Sequence, residues 1–317
     1  MADLAMKAIW SFWSKPFEAH RCSSWPSPAH HLFAWVLSVE TAKQHYPDTE
    51  LITDDAGARM LVDRLGLSFA QVSTDLNALA QCNADWWALG KVYAYQMQTG
   101  PFVHIDSDVF LWKPLPDRLV NADVLAQNPE LISANSPYYQ PERLERALDH
   151  VTGSWLPEEW QWYRRTRHPR SVGCGIFGGN RIDFINRFAT ASLRVIEDPA
   201  NRHAVDSLHD KRGLMLVIEQ YLLSAFVEYH SVSAVLPRGT VRIEYLFDSM
   251  DGLWNPDRAA QAGYTHLLAG AKHNPHFAER LENRVRCDYP EFYSNALNMI
   301  GTAVLAPSHI RSKSGEG

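Results

Sequence analysis

The first hundred or so residues switch repeatedly between two hydrophobic periods, and this alternation restricts the fold more than any other feature of the chain. Short apolar runs rich in β-branched and aromatic residues occur at Met6 to Trp13, Glu50 to Thr53, Ser68 to Val72 and Phe102 to Ile105. Between them lie segments of helical character, from about Ala29 to His45, from Ala56 to Leu65 and from Ala84 to Gln98. In the first of these, Leu32, Trp35, Val36, Val39 and Ala42 recur at helical spacing. Tyr46-Pro47-Asp48 and Thr99-Gly100-Pro101 punctuate the elements. Strands alternating with helices predict an α/β fold, a Rossmann-like and mainly parallel sheet flanked by helices. Ligands of such sheets gather beyond the carboxyl ends of the strands. That rule places Trp10-Ser11, Asp54-Asp55 and Asp106 to Asp108 on one rim.

Beyond residue 150 the pattern is less regular. Ser154 to Arg170 is polar, aromatic and basic without a clear period, and Ser171 to Asn180 is glycine-rich around an apolar centre. Arg181 to Ile196 and Leu214 to Phe226 read as helices, a strand pair is expected between Ser231 and Phe247, and Glu279 to Met299 includes a helical segment. No internal repeat or low-complexity linker interrupts the chain. Its 317 residues, 46% of them hydrophobic, are therefore read as one catalytic-type unit over 1–307, followed by a disordered tail over 308–317. That unit divides at about residue 125, into halves 1–125 and 126–307.

Composition removes several function classes. A formal net charge of −6 gives no support for nucleic-acid binding. The four cysteines lie far apart with no C-x-x-C pair, which argues against a disulfide framework or a zinc site and for a reducing compartment. The first residues lack a long apolar core and a cleavage site, and no run reaches ~18 consecutive apolar residues. The expectation is a cytoplasmic protein with no transmembrane segment.

The chemistry starts at Asp106-Ser107-Asp108. Two carboxylates follow the apolar strand Phe102 to Ile105 directly, and Val109-Phe110-Leu111-Trp112 continues the apolar run. Carboxylates in such surroundings need a cationic partner. Residues i and i+2 of extended chain point to the same side, so both can face one ligand. Hard oxygen donors of this kind suit Mn²⁺ or Mg²⁺ held jointly with substrate phosphates. A D-x-D taken alone is also compatible with a solvated turn.

An apolar strand, D-x-D and then Val-Phe-Leu resembles the metal and nucleotide-sugar site of GT-A glycosyltransferases, most closely the retaining family-eight-type enzymes such as glycogenin and the lipooligosaccharide galactosyltransferases. The resemblance spans about residues 6 to 275 as order and spacing of motifs. His266-Leu-Leu-Ala-Gly270-Ala-Lys272 is similar to the H-x-x-G-x-x-K-P element. The His-to-Lys spacing of six is kept, the glycine falls one residue late, and His273-Asn274-Pro275 stands where the proline would follow at once. The resemblance implies that Asp106, Asp108 and His266 hold the metal and that Lys272 meets the donor diphosphate beside Ser107 and Gly270. It implies that the segment with Gly178 and Gly179 lines the donor sugar. It also makes Glu219-Gln220 the acidic-amide pair near the anomeric carbon, with Glu in place of the family's Asp. Gln220, Glu219 and Asp108 are then the catalytic candidates.

By position on the rim, Lys91 corresponds to a basic residue that reaches the donor, and Trp10-Ser11 to the place that holds base and ribose. Trp10 fits a core position equally well, Lys91 fits a solvated surface, and Asp54 fits a helix cap as well as a donor contact. Trp155, Trp162 and Arg165 in the irregular insertion are the candidates for acceptor binding. The same insertion carries Arg164, Arg165, Arg167 and Arg170, a basic cluster suited to an anionic surface or acceptor. The reaction implied is transfer of a hexose from a nucleoside diphosphate sugar, UDP being the first expectation, to a hydroxyl of a glycan, a lipid-linked sugar or a peptide. The alternatives are a binding module on a degenerate scaffold of the same kind and a D-x-D phosphatase, the latter disfavoured because no later acidic metal motif follows.

Overall fold

The computed structural model describes residues 6–20, 25–132, 139–166, 170–233, 235–236 and 238–304. Arg167 and the tail over 308–317 lie outside them. The strands are β1 (Lys7–Phe12), β2 (Thr49–Thr53), β3 (Gln71–Ser73), β4 (Phe102–Ile105), β5 (Val109–Leu111), β6 (Val124–Leu131), β7 (Arg170–Gly179), β8 (Ile243–Tyr245) and β9 (Tyr264–His266). Seven of them form one sheet in the order β3-β2-β1-β4-β7-β6-β8, and β5 and β9 make a separate ribbon. β3, β2, β1 and β4 are mutually parallel, β7 runs antiparallel to both β4 and β6, and β6 pairs with β8 in parallel. The fold is thus α/β, with a mainly parallel sheet flanked by helices.

The principal helices are α1 (Pro28–Lys43), α2 (Leu89–Gln96), α3 (Glu158–Thr166), α4 (Ile182–Glu197), α5 (Leu222–Val232), α6 (Pro275–Asp288) and α7 (Pro290–Val304). One face of the sheet is covered by α2, α4 and α5, which bury Tyr95, Phe177, Phe184, Phe188 and Phe226. The other face is covered by α1 and the C-terminal helices, around Trp10, Phe33, Trp35 and Val103. Strands β1, β2, β4 and β6 send alternate side chains into these two cores, which is why they read as largely continuous apolar runs.

Several expectations change. Glu158–Thr166 is a helix, because Trp160 and Tyr163 lie three apart on one face and are fully buried against Tyr221. Glycine-rich Ser171 to Asn180 is almost entirely the inner strand β7. Of the strand pair expected between Ser231 and Phe247, the described residues hold only β8, since α5 runs on to Val232. The helix expected from Ala84 starts at Leu89. No described helix is long and apolar enough to cross a membrane.

Candidate metal centre

Asp106 and Asp108 sit in the tight turn between β4 and β5, so a turn, and not strand alternation, brings them together. The turn is held on three sides. The Asp106 amide donates to the Gly175 carbonyl at 2.9 Å, the Ser38 hydroxyl donates to the Asp106 carbonyl at 2.9 Å, and the Leu267 amide donates to the Asp108 carbonyl at 3.0 Å. Pairing of Val109 with His266 in the β5–β9 ribbon sets the imidazole beside the turn. As a result, one ligand atom from each of Asp106, Asp108 and His266 lies within 4.8 Å of the others.

Two lysines complete the electrostatics. Lys91 Nζ stands 2.8 Å from Asp106 Oδ1 and 2.7 Å from Glu219 Oε1, while Lys272 Nζ stands 2.6 Å from Asp108 Oδ2. Burial acts against the charge of Lys91, but the Asp106 and Glu219 carboxylates outweigh it and hold the ammonium well above its ordinary value. Burial pushes the Asp106 carboxyl up to about 6 against the pull of Lys91. Burial also acts to raise Asp108, but Lys272 and His266 override it and hold that carboxyl far below the usual range. The two carboxylates therefore have unlike environments two residues apart.

Beneath the turn lies a polar layer that joins Ser11, expected as a donor contact, to His104, which the sequence did not single out. The Ser11 hydroxyl is 2.9 Å from His104 Nε2, and His104 Nδ1 is 3.6 Å from Asp106 Oδ1. Burial, followed by the charge of Lys91, keeps His104 neutral. Gln127 on β6 was also missed. Its Oε1 accepts from His266 Nδ1 at 2.6 Å and from the Tyr264 hydroxyl. On the solvent side, Trp25 lies under the Lys272 ammonium at 5.4 Å.

The remaining candidates separate. Trp10 is fully buried and donates to Ser38, the residue that holds the Asp106 carbonyl, so it supports the turn from the core and has no face for a base. Asp54 caps the helical turn after β2 through Gly57 N at 2.7 Å and accepts from Ser14 N and Oγ, which fills its oxygens with protein donors. Gly178 and Gly179 pair with Val103 and Phe102 at the far end of β4. A Cβ on Gly178 would lie 2.0 Å from the Phe102 carbonyl oxygen, so strand packing accounts for it. The glycine at the cluster is Gly175, where a Cβ would lie 2.1 Å from Gln127 Oε1 and 2.7 Å from His266 Nδ1. Gly270 is exposed with open space around it, whereas its neighbour Ala269, three residues after His266, takes φ 46°. Ser107 is half-buried in the turn.

Glu219 and Gln220 lie in a π-helical turn, Val217–Tyr221, a local widening that recurs at functional sites. Glu219 was expected to contact a sugar, but its side chain is 0% exposed and bound to Lys91. Gln220 Oε1 instead accepts from Tyr139, whose hydroxyl also meets Glu130 at 2.7 Å. Away from the cluster, Trp155 lies under Arg194 at 3.9 Å and lines a cleft of about 360 Å³ with Arg187 and Thr190. Trp162 is half-buried against Tyr229, and Arg165 is exposed near the end of α3. The three acceptor candidates thus do not converge on the carboxylates.

Known structures resemble the chain weakly. The galactosyltransferase LgtC in complex with donor and acceptor sugar analogs aligns with 87% of this chain and 96% of its own, at 11% identity and a TM-score of 0.34. The glycosyltransferase GlyE in Streptococcus pneumoniae TIGR4 aligns with 96% of this chain and 65% of its own, at 10% identity and a TM-score of 0.37. An active-site mutant of LgtC gives 87%, 96%, 10% and 0.37 in the same terms. Likeness at this level assigns no chemistry. No curated protein matches the chain. The family model described as "Family of unknown function (DUF6734)" matches residues 6–299, and the chain belongs to that family.

Proposed function

We propose that this protein is a metal-dependent glycosyltransferase that moves a hexose from a nucleoside diphosphate sugar to a hydroxyl acceptor. The observation that carries the reading is the cluster itself. Asp106, Asp108 and His266 offer ligand atoms within 4.8 Å at the carboxyl end of β4, with the Lys272 ammonium beside them. The donor set fits a divalent cation. Nδ1 of His266 is taken by Gln127, so Nε2, 3.4 Å from Asp108 Oδ1, is the ring nitrogen left to a cation, and one imidazole with two carboxylates is a donor set suited to Mn²⁺. Mn²⁺ or Mg²⁺ bound there would supply positive charge against the negative charge that builds on a departing diphosphate.

The chain's own groups supply the rest. Lys272, with its side chain one-fifth exposed, is positioned to exchange Asp108 for a phosphate oxygen. Lys91, neutralised by Asp106 and Glu219, forms the floor on which the sugar would rest. Glu219 and Asp106 are engaged with Lys91, so neither is offered as a nucleophile. The likeness of Glu219-Gln220 to the acidic-amide pair of retaining enzymes favours retention. The donor base is expected to be uracil, and the acceptor a glycan, lipid-linked sugar or peptide.

The test is a panel of nucleotide sugars with Mn²⁺, scored for hydrolysis without acceptor. Turnover of a UDP-sugar that stops on chelation is the expected result. Protection by UDP and Mn²⁺ against heating without turnover would favour a binding module. Phosphate release from simple esters would overturn the transferase reading.

A further inference from the structure

Resting on the cation reading above, we propose that Gln127 is the positioning residue that makes His266 a ligand, by fixing the imidazole as its Nδ1–H tautomer with Nε2 free. The polarity of this contact is set by a chain of hydrogen bonds that begins at the backbone. Asn128 Nδ2 donates to the Pro129 carbonyl at 3.0 Å, which turns Asn128 Oδ1 toward Gln127. Gln127 Nε2 donates to that oxygen at 2.7 Å, which leaves Gln127 Oε1 facing His266. An amide oxygen only accepts, so the proton between Oε1 and Nδ1, 2.6 Å apart, belongs to the imidazole. The Tyr264 hydroxyl donates to the same oxygen, whose direction is already set by the bond from Gln127 Nε2 to Asn128.

Burial makes the arrangement rigid. Gln127 is 1% exposed and Asn128 0%. Rotating the Gln127 amide would set oxygen against oxygen at Asn128 and set its amide donor against Nδ1–H of His266, contacts that are costly at this depth of burial. Gly175 across the strand keeps the space clear, since any Cβ there would meet both Gln127 Oε1 and His266 Nδ1. Partners on the second nitrogen of a ligating histidine fix its tautomer and ring orientation, and their loss costs about 10- to 100-fold in metal affinity.

The experiment measures Mn²⁺ binding by titration calorimetry without nucleotide, in the wild type, Gln127→Met and Tyr264→Phe, alongside ¹⁵N spectra of His266 in the metal-free wild type. The expected results are an affinity lower by about 10- to 100-fold for Gln127→Met, no such loss for Tyr264→Phe, and a protonated Nδ1 in the spectra. Tyr264→Phe removes a member of the same buried network without touching the imidazole, so a merely structural role would weaken both variants alike. Wild-type affinity in a folded Gln127→Met protein, equal losses in both variants, or an unprotonated Nδ1 in the wild type would overturn the inference. Should Gln127→Met fail to fold, the tautomer spectrum still decides it. A wild type that binds no Mn²⁺ overturns the cation reading and this inference together, whereas the three preceding outcomes overturn this inference alone.

Discussion

Glu219 is wholly buried, and its Oε1 lies 2.7 Å from the ammonium of Lys91, 128 positions earlier in the chain (219 − 91). The second oxygen, Oε2, has no hydrogen-bond partner among the described residues. A carboxylate in that position depends on one lysine for its charge. Lys91→Met should therefore destabilise the fold by about 3–5 kcal/mol, the cost of stranding a buried charge. Denaturant unfolding measures it. Adding Glu219→Gln to that variant should recover part of the loss, because the stranded charge is then gone. A Lys91→Met protein as stable as wild type would show that the pair is not what balances Glu219.

Asp108→Asn and His266→Ala should each abolish Mn²⁺-dependent protection by UDP and lower transfer by on the order of 100-fold or more. Both side chains are largely buried and partnered, Asp108 by Lys272 and His266 by Gln127, so the melting temperature without ligands should fall as well, and activity is compared at a temperature where each variant is folded. Activity at the wild-type level in either variant would remove the cluster from the mechanism.

Ala269 takes φ 46° on the approach to Lys272, a conformation that costs an L-residue about 1–2 kcal/mol and glycine almost nothing. Its side chain is exposed. Ala269→Gly should stabilise the protein by about 0.5–1 kcal/mol once the greater freedom of glycine in the unfolded chain is subtracted. Denaturation midpoints test this, and a destabilised variant would contradict the backbone geometry.

Acid should weaken the fold at Glu159. Burial works to raise its carboxyl, but the hydrogen bond with His230 and the charge of Arg187, each 3.0 Å away, prevail and hold it below its ordinary value of 4.5. A carboxyl lowered in the folded state contributes stability that is present above 4.5 and is lost as pH falls through the folded value. Unfolding free energy should therefore drop as pH falls below about 4.5, and the slope should be shallower in Glu159→Gln. An unchanged slope would mean that the group is not depressed.

Local signals were enough to find the first four strands, helix α1 and the D-x-D pair after β4, though not the turn that joins its carboxylates, because period, β-branching and Gly-Pro punctuation act over a few residues. His266 and Lys272 were legible as spacing within one motif. Gln127 and Asn128 were not, since two amides after Val124-Leu125-Ala126 look like a strand end. Only the pairing of β6 with β7, and of β9 with β5, shows that Gln127 lies buried behind His266. Trp10, for which core and ligand positions were both open, lies within β1, and which face of the sheet it points to depends on helix α1 and Ser38.

What the sequence determined by itself was therefore the layered α/β plan and the residue types able to hold a cation, since both are written in contiguous stretches. The tertiary structure decided which charges meet. Lys91 takes up Glu219 and Asp106, Lys272 takes up Asp108, and Gln127 orients His266, all across long separations in the chain. Burial then magnifies each of these meetings, because a charge or amide removed from water is governed by the few groups that touch it.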